Sequence, residues 1–420
     1  MPEEKTIHDP VHGSMTLSGI ILDLIDTAEV QRLRGIRQLG LANVAFPGAN
    51  HSRFEHALGV GHLAWKVANK LGLEAGEKNT LQAAAVLHDV GHAPYSHTLE
   101  HLMVDYLKKD HMEITGQIIQ GKMSMAPENE AALRKLGISR ANHVLKKWGV
   151  SSREVSQLLM GKHRRRYLGD LIHSEVDVDQ MDYLLRDSHF TGVALGMVDM
   201  DRLMRTLVIH GGRSCIMAKG VEAVEGLLTA RGLMYSSVYY HHTVRVAEVM
   251  LMNAVDRALE KSGFNRNFFL MDDAQLMERL SSVGGYPAEM VMRLRYRQLF
   301  KSAHVETRKE LSKSEKQKYL SRFGKWSMVR EAQDEIADEA GVGRGSVLLD
   351  VPIVDIITSE PRIEKVDMPV IQEGKISKLS KVSPLATALK QRQAPRYMLR
   401  VISEDKLVEK VKRAAERVLS

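Results

Sequence analysis

Between residues 51 and 111 the chain places eight of its 18 histidines: His51, His56, His62, His88, His92, His97, His101 and His111. A solvated surface gives no reason to concentrate imidazoles this way. His88-Asp89 closes the apolar run Ala83-Ala84-Ala85-Val86-Leu87, where an unpaired carboxylate would be costly. A cation is the most direct compensation for a buried Asp beside a His. The plainer reading is that Asp89 caps the next helix and His88 is a satisfied core residue. For an isolated His-Asp pair that reading prevails. The neighbours change the balance: His92, His97, Glu100 and His101 follow around the turn Gly91-His92-Ala93-Pro94, and His56 precedes in Arg53-Phe54-Glu55-His56. About ninety residues on, Asp179, Tyr183 and Asp187 are spaced i, i+4, i+8 in an otherwise apolar segment, so they share one helical stripe. Val178, Met181, Leu184 and Leu185 lie largely off it. Such a stripe is either a solvated face or the wall of a polar cleft.

Helical elements must position these residues. Ile21, Leu22, Leu24 and Ile25 run into Val30 and Leu33, with Gly40 as a stop. After the turn Phe46-Pro47-Gly48-Ala49-Asn50, the residues Phe54, Leu58, Gly61, Ala64, Ala68 and Leu71 mark one face of a long helix. Leu81 to Leu87 reads as a short buried helix. Others are expected from Ser174 to about Ser188 and from Val221 to about Leu259. Residues 304–345 are rich in Lys, Arg and Glu and read as exposed helix or linker. Ser346–Val351, Ile353–Ile357 and Tyr397–Ile402 have strand signatures, and a helix from Glu404 to Leu419 closes the chain.

Composition sets outer bounds. The chain has 420 residues, 44% of them apolar, enough for one large domain or two to three ordinary ones. Its net charge of +7 allows acidic ligands without requiring them. A single cysteine, Cys215, excludes an intrachain disulfide framework and a Cys-built zinc site. Aromatics at 5% and 22 Met favour packed helices. The N-terminus lacks a signal pattern and no apolar run is long enough to span a bilayer, so a cytoplasmic protein without a membrane partner is expected. The basic run Lys162-His163-Arg164-Arg165-Arg166 has no aromatic platform or nucleic-acid motif beside it.

The pattern H…HD…D formed by His56, His88-Asp89 and Asp179 resembles the HD phosphohydrolase superfamily. Further segments bring the resemblance closer: Asp9-Pro10-Val11-His12-Gly13, Gln31-Arg32-Leu33-Arg34, His51-Ser52-Arg53-Phe54-Glu55-His56, Pro94-Tyr95-Ser96-His97 and Asp179-Gln180-Met181-Asp182-Tyr183. In that order they look like the deoxynucleoside triphosphate triphosphohydrolases of the SAM-and-HD-domain lineage, over about residues 5–260, with no SAM domain expected here. The resemblance implies a mainly α fold, an HD-domain helical bundle with a smaller C-terminal α+β region. The expected division is a helical domain over 1–300, a charged segment over 301–345 and an α+β region over 346–420.

Carried over by position, the resemblance makes His56, His88, Asp89 and Asp179 the ligands of a divalent transition metal of the Fe, Mn, Zn or Ni group, with Mg accompanying the nucleotide. Two imidazoles and two carboxylates suit such an ion. His92, His97, Glu100 and His111 become the catalytic group around the phosphates, with His97 paired to the acid at Glu100. The family has Asp there, so the pairing must reach one methylene further. Arg53 and Arg231 match phosphate-binding arginines, Gln38 and Asp187 match residues at the sugar 3′-hydroxyl, and Tyr183 and Tyr239 match aromatics packed on the sugar. Gln180 stands where the lineage has a phosphate-binding Lys. Lys5, Asp26, Gln31 and Arg34 match a guanine-nucleotide activator site between subunits of a homo-oligomer, dimer or tetramer. At a second activator site His8 replaces Asn and Ser14 replaces His.

The leading expectation is hydrolysis of dNTPs to deoxynucleoside and triphosphate. An HD phosphohydrolase of another nucleotide or phosphoester is the alternative, which Gln180 favours. A regulatory protein that senses nucleotides or binds nucleic acid would draw instead on the basic run and the net charge.

Overall fold

A hairpin of β1 (Glu4–Asp9) and β2 (Gly13–Ser18) leads into short helices α1 (Ile20–Ile25) and α2 (Ala28–Arg32). The histidine-rich stretch follows as α3 (Arg53–Lys70), α4 (Ala75–Leu87), α5 (Glu100–Leu107) and α6 (His111–Ile119). The next helices are α7 (Glu130–Lys135), α8 (Ala141–Lys147), α9 (Ser152–Leu159) and α10 (Arg166–Ile172); of these, α8 packs on α1 and α6, α9 on α4 and α6, and α10 on α4. α11 (Val178–Thr191) then returns against α3. After α12 (Met200–Thr206) come β3 (Leu207–His210), β4 (Arg213–Met217), α13 (Val221–Met234) and α14 (His242–Leu259). The remainder holds α15 (Asp273–Val283), α16 (Gly285–Arg295), β5 (Lys301–Thr307), α17 (Lys313–Phe323), α18 (Trp326–Glu339), β6 (Val347–Asp350), β7 (Pro369–Gln372), β8 (Lys375–Lys378), β9 (Tyr397–Ser403) and a closing helix, Val408–Leu419. This computed structural model describes residues 4–261, 264–307, 312–352, 368–390 and 397–419.

The architecture is mainly α with a smaller C-terminal α+β region. One three-stranded sheet has the order β5-β9-β6, antiparallel, with Leu348 opposite Ile402. A second, β3-β4-β7-β8, joins the two parts of the chain, because β7 pairs in parallel with β4. The core is continuous from Ile21 and Leu63 through Met250 to Leu349 and Val411.

Several elements differ from the sequence reading. The region expected to form the helical domain is not helical throughout: Gly211 and Gly212, at φ 58° and 72°, close the β3–β4 hairpin, the two-residue turn that positive φ at both positions permits. The β1–β2 hairpin is a further addition. Val221–Leu259 is two helices separated by a wide turn of π geometry at Tyr235–Tyr239, a distortion common at functional sites. Residues 304–345 are not simply exposed, since α18 buries Trp326, Val329, Ala332, Ile336 and Ala337. The expected strand Ile353–Ile357 lies outside the described residues.

The central helices meet through small residues and specific caps. Ser52 and Glu55 form a capping box that starts α3, and Asp177 accepts the Gln180 backbone N–H at 2.8 Å to start α11. That cap explains why α11 begins at Val178 and not near Ser174. On α3, a Cβ at Gly61 would stand 2.9 Å from Val86, and one at Gly59 only 1.8 Å from Asp182 Oδ1. The two glycines therefore set the approach of α4 and α11 to α3. We expect Gly59→Ala to cost on the order of 3 kcal/mol, because the added methyl must displace the buried Asp182–Arg186 ion pair. A denaturant midpoint and slope unchanged from wild type would contradict this packing.

Candidate metal centre and adjoining cleft

His56 projects from α3, His88 and Asp89 end α4, and Asp179 opens α11. These three elements converge where the glycines let them. His56 Nε2 lies 3.0 Å from Asp179 Oδ1 and 3.2 Å from His88 Nε2. His88 Nε2 lies 3.2 Å from Asp89 Oδ1, and His56 Nε2 lies 3.8 Å from Asp89 Oδ2. Ligand atoms on one small ion with bonds of about 2.1 Å stand roughly 3–4 Å apart, so the spacing of His56, His88 and Asp179 fits a shared cation, while Asp89 meets the two imidazoles through different oxygens.

Hydrogen bonds on the far side of each ring sharpen the fit. His88 Nδ1 donates to the Ala85 carbonyl at 2.8 Å, and His56 Nδ1 donates to Asp182 Oδ2 at 2.7 Å. In the neutral form each ring then presents its Nε2 lone pair to the centre, as metal-ligating imidazoles do. Burial opposes charge on His56, yet Asp179 and Asp182 push its pKa up to about 10. Burial likewise opposes protonation of His88, and Asp89 and Asp179 outweigh it to raise its pKa. Both shifts express the same demand for positive charge, which a divalent ion would answer. Asp89 is buried, and Arg53 is the foremost group that offsets this and holds its carboxyl well below the usual range.

Beside this centre lies a cluster of three imidazoles. His92 stacks on His111, ring centroids 4.0 Å apart at 17°, and His97 meets both edge-on. One ligand atom each from His92, His97, Glu100 and His111 lies within 4.8 Å of the others. Glu100 accepts from His111 Nδ1 at 2.8 Å and from its backbone N–H at 3.0 Å, while His97 Nδ1 is 4.0 Å away. Glu100, at the start of α5, therefore hydrogen-bonds His111 and stands at ion-pair distance from the expected partner His97. Burial disfavours charge on both partners, but each raises or lowers the other toward its ionised form, His111 upward and Glu100 downward. His92 is pushed the other way by burial, Arg53 and His111, and stays neutral. His97 stands open to solvent. The preceding Tyr95 and Ser96 both have φ near +58°, costly for non-glycine residues, and are pinned by Asp273 on the Tyr95 N–H and by Arg53 on Ser96 Oγ.

Along α11 the other end of the cleft takes shape. Asp187 accepts from His51 Nε2 at 2.8 Å and from the Tyr239 hydroxyl at 2.6 Å. Burial and the Asp187 charge hold the Tyr239 phenol well above its usual range, so it remains a donor. Tyr183 and Tyr239 face each other edge-to-face at 6.4 Å. Gln38 joins this group through its backbone N–H on the His51 carbonyl. The Asp179-Tyr183-Asp187 stripe is thus not a solvated face: Asp179 and Tyr183 are half-buried and Asp187 is buried. Arg231 donates to Gln180 Oε1 at 3.3 Å, and Gln180 Nε2 donates to the Ser174 carbonyl at 2.7 Å. Arg53 is buried, with Nη1 on Asp89 at 2.5 Å, so its charge lies against an expected metal ligand.

The four activator-site matches fall together on the surface. Lys5 Nζ is 4.0 Å from Asp26, Gln31 holds the Ile25 carbonyl, and Arg34 donates to Gln31 while lying 3.6 Å over the Phe54 ring. His8 and Ser14 are cross-strand partners in the hairpin. In the basic run, Arg165 pairs with Glu77 and Arg164 lies 3.7 Å from Glu154.

A family model described as the HD domain matches residues 53–187, and one described as the HD associated region matches residues 198–420. The chain belongs to the HD-domain family. It is 30% identical to an uncharacterised protein of Methanocaldococcus jannaschii, over 97% of this chain and 83% of that one. It is 31% identical to the deoxynucleoside triphosphate triphosphohydrolase SAMHD1 homolog of Dictyostelium discoideum, over 60% of this chain and 49% of that protein; the chain spans about half that relative's length. The crystal structure of a hypothetical Aquifex aeolicus protein superimposes with TM-score 0.71 at 26% identity, over 98% of this chain and all of that one. The HD architecture, its phosphohydrolase class and its capacity for a divalent metal are common ground between these likenesses and the site. Among the described residues no helix is long and apolar enough to cross a membrane.

Sequence reasoning gave no role to Asp182, Arg186, Asp9, His12 or His51. The signal for Asp182 was present, since an Asp three residues after a ligand in an apolar helix must be compensated. We expect purified protein to hold about one transition ion per chain, and His88→Ala and Asp179→Ala to lose it. Elemental analysis with equal metal in wild type and both variants would remove the assignment.

Proposed function

We propose that the protein hydrolyses deoxynucleoside triphosphates at the α-phosphorus, releasing deoxynucleoside and intact triphosphate. One observation carries the reading: the candidate metal centre adjoins the three-imidazole cluster, His92 Nε2 lying 3.4 Å from Asp89, and shares α11 with Asp187, which accepts from Tyr239. Asp179 and Asp187 are eight residues apart on α11, about 12 Å at 1.5 Å per residue. That span accommodates a sugar with its α-phosphate. His56, His88, Asp89 and Asp179 would hold the ion, which when bound supplies a Lewis acid to a phosphoryl oxygen. The protonated His111, steered by Glu100, donates to the triphosphate side, with His92 and His97 beside it. An imidazole held by a carboxylate is suited to protonating or neutralising a leaving oxygen. At the other end Asp187 accepts from the 3′-hydroxyl, and the tyrosine rings leave no room at C2′. Activation by a guanine nucleotide at Lys5, Asp26, Gln31 and Arg34, in a homo-oligomer, belongs to the same reading.

Gln180 favours the second reading, an HD phosphohydrolase of another nucleotide or phosphoester. Its amide is spent on the Ser174 carbonyl and on Arg231, so this position offers no cation to a triphosphate.

Incubation with each dNTP and NTP, followed by anion-exchange separation of the products, distinguishes the two. Triphosphate should be released, and pyrophosphate or stepwise phosphate would select the second reading. Burying an unpaired 2′-hydroxyl costs roughly 1–3 kcal/mol, about tenfold to a hundredfold in kcat/KM. Equal efficiency on dGTP and GTP would defeat the deoxyribose assignment.

The His111–Glu100 pair generates a pH prediction. Glu100 raises the His111 pKa, so the protonated imidazole persists to higher pH than an isolated one. In Glu100→Gln the alkaline limb of the kcat/KM profile should move to lower pH. A profile that keeps its alkaline limb would exclude His111 as the group that must be protonated.

A further inference from the structure

The turn of the N-terminal hairpin reaches the back of the metal centre. His12 Nε2 donates to Asp182 Oδ1 at 2.6 Å, and Asp182 Oδ2 accepts from His56 Nδ1 at 2.7 Å. Arg186 occupies the remaining positions, Nε on Oδ2 at 2.8 Å and Nη2 on Oδ1 at 2.9 Å. Four donors therefore fill the four lone-pair sites of one carboxylate. Asp182 and Arg186 are both 0% exposed. Asp9 binds the outer face of Arg186, Nη1 to Oδ2 at 2.8 Å, and its other oxygen accepts the backbone N–H groups of Val11 and His12 at 2.9 and 2.8 Å. Asp9 thus shapes the turn that delivers His12. The missing side chain at Gly59 admits the carboxylate against α3.

We propose that His12 and Asp182 are positioning residues for the metal centre, and that the hairpin turn is part of the metal-binding apparatus. The carboxylate cannot rotate without losing a donor, so His56 must offer Nδ1–H to it and the Nε2 lone pair to the ion. Loss of the His12 hydrogen bond leaves Oδ1 short of a donor and frees the carboxylate to turn toward Arg186. His56 then loses its fixed tautomer and ring direction. Outer partners of this kind typically change metal affinity by about 10- to 100-fold. The inference rests on the metal assignment and not on the substrate.

The test uses full-length protein loaded with Co2+, with affinity from chelator competition and the ligand field from visible absorption. His12→Leu and Asp182→Asn should weaken Co2+ binding by about 10- to 100-fold and alter the absorption bands, while His12→Gln, whose amide can donate to the same oxygen, should return within about threefold of wild type. His88→Ala is the reference for a lost ligand. His12→Leu binding Co2+ as wild type does, with His88→Ala impaired, would overturn the inference and leave the metal assignment intact. Unimpaired binding by His88→Ala would overturn both. Should Asp182→Asn fail to fold, the His12 pair of variants decides alone: Gln no better than Leu, with both folded by circular dichroism, overturns the positioning role.

Discussion

Nε2 of His56, Nε2 of His88 and the carboxylates of Asp89 and Asp179 crowd together between α3, the end of α4 and the start of α11. Their mutual repulsion, in a region that water screens poorly, must be met by positive charge. Much of the surrounding structure follows from that requirement. Arg53 lies buried against Asp89, and Arg186 lies buried against Asp182, which steers His56. Glycines replace larger residues where the helices must approach closely enough for the four side chains to crowd together. A second example sits on the loop side: a Cβ at Gly91 would stand 2.3 Å from the His111 carbonyl, so the loop after Asp89 and the start of α6 can touch only through glycine.

The neighbouring imidazole cluster answers a different electrostatic problem with the same residue type. Here one glutamate, Glu100, raises the His111 pKa against burial, while burial, Arg53 and His111 lower that of His92. Histidines a few residues apart are therefore set toward different charge states by what lies behind each ring. The division is a property of the second layer of contacts: a backbone carbonyl behind His88, Asp182 behind His56, Glu100 behind His111.

Two departures from the lineage resembled by this chain are absorbed by packing. Gln180 ties the start of α11 to Ser174 and takes a hydrogen bond from Arg231. Glu100 hydrogen-bonds His111 and stands 4.0 Å from His97. Both changes keep the local helices intact and redirect polar contacts inside the cleft. Both lie on the side of the candidate metal centre and the imidazole cluster, away from the Asp187–Tyr239 pair.

The local chemistry was legible in the sequence. His88-Asp89 after an apolar run, His56 on a preceding amphipathic face and the Asp179-Tyr183-Asp187 stripe depend on spacing within single helices, and helical periodicity is a short-range property. The C-terminal strands Val347–Asp350 and Tyr397–Ser403 were legible for the same reason. The partner of Glu100 was not, because two histidines lay within reach and only the packing of α5 on the loop selected one. Nor could spacing reveal that residues 9 and 12 grip residues 182 and 186, a contact across 170 positions. The break of Val221–Leu259 at Tyr235 was also hidden, since its residues are individually compatible with helix. Side-chain type and near spacing determined which groups could hold a cation or a proton. Which of them does so was decided by buried hydrogen bonds between distant segments, and those exist only once the chain has folded.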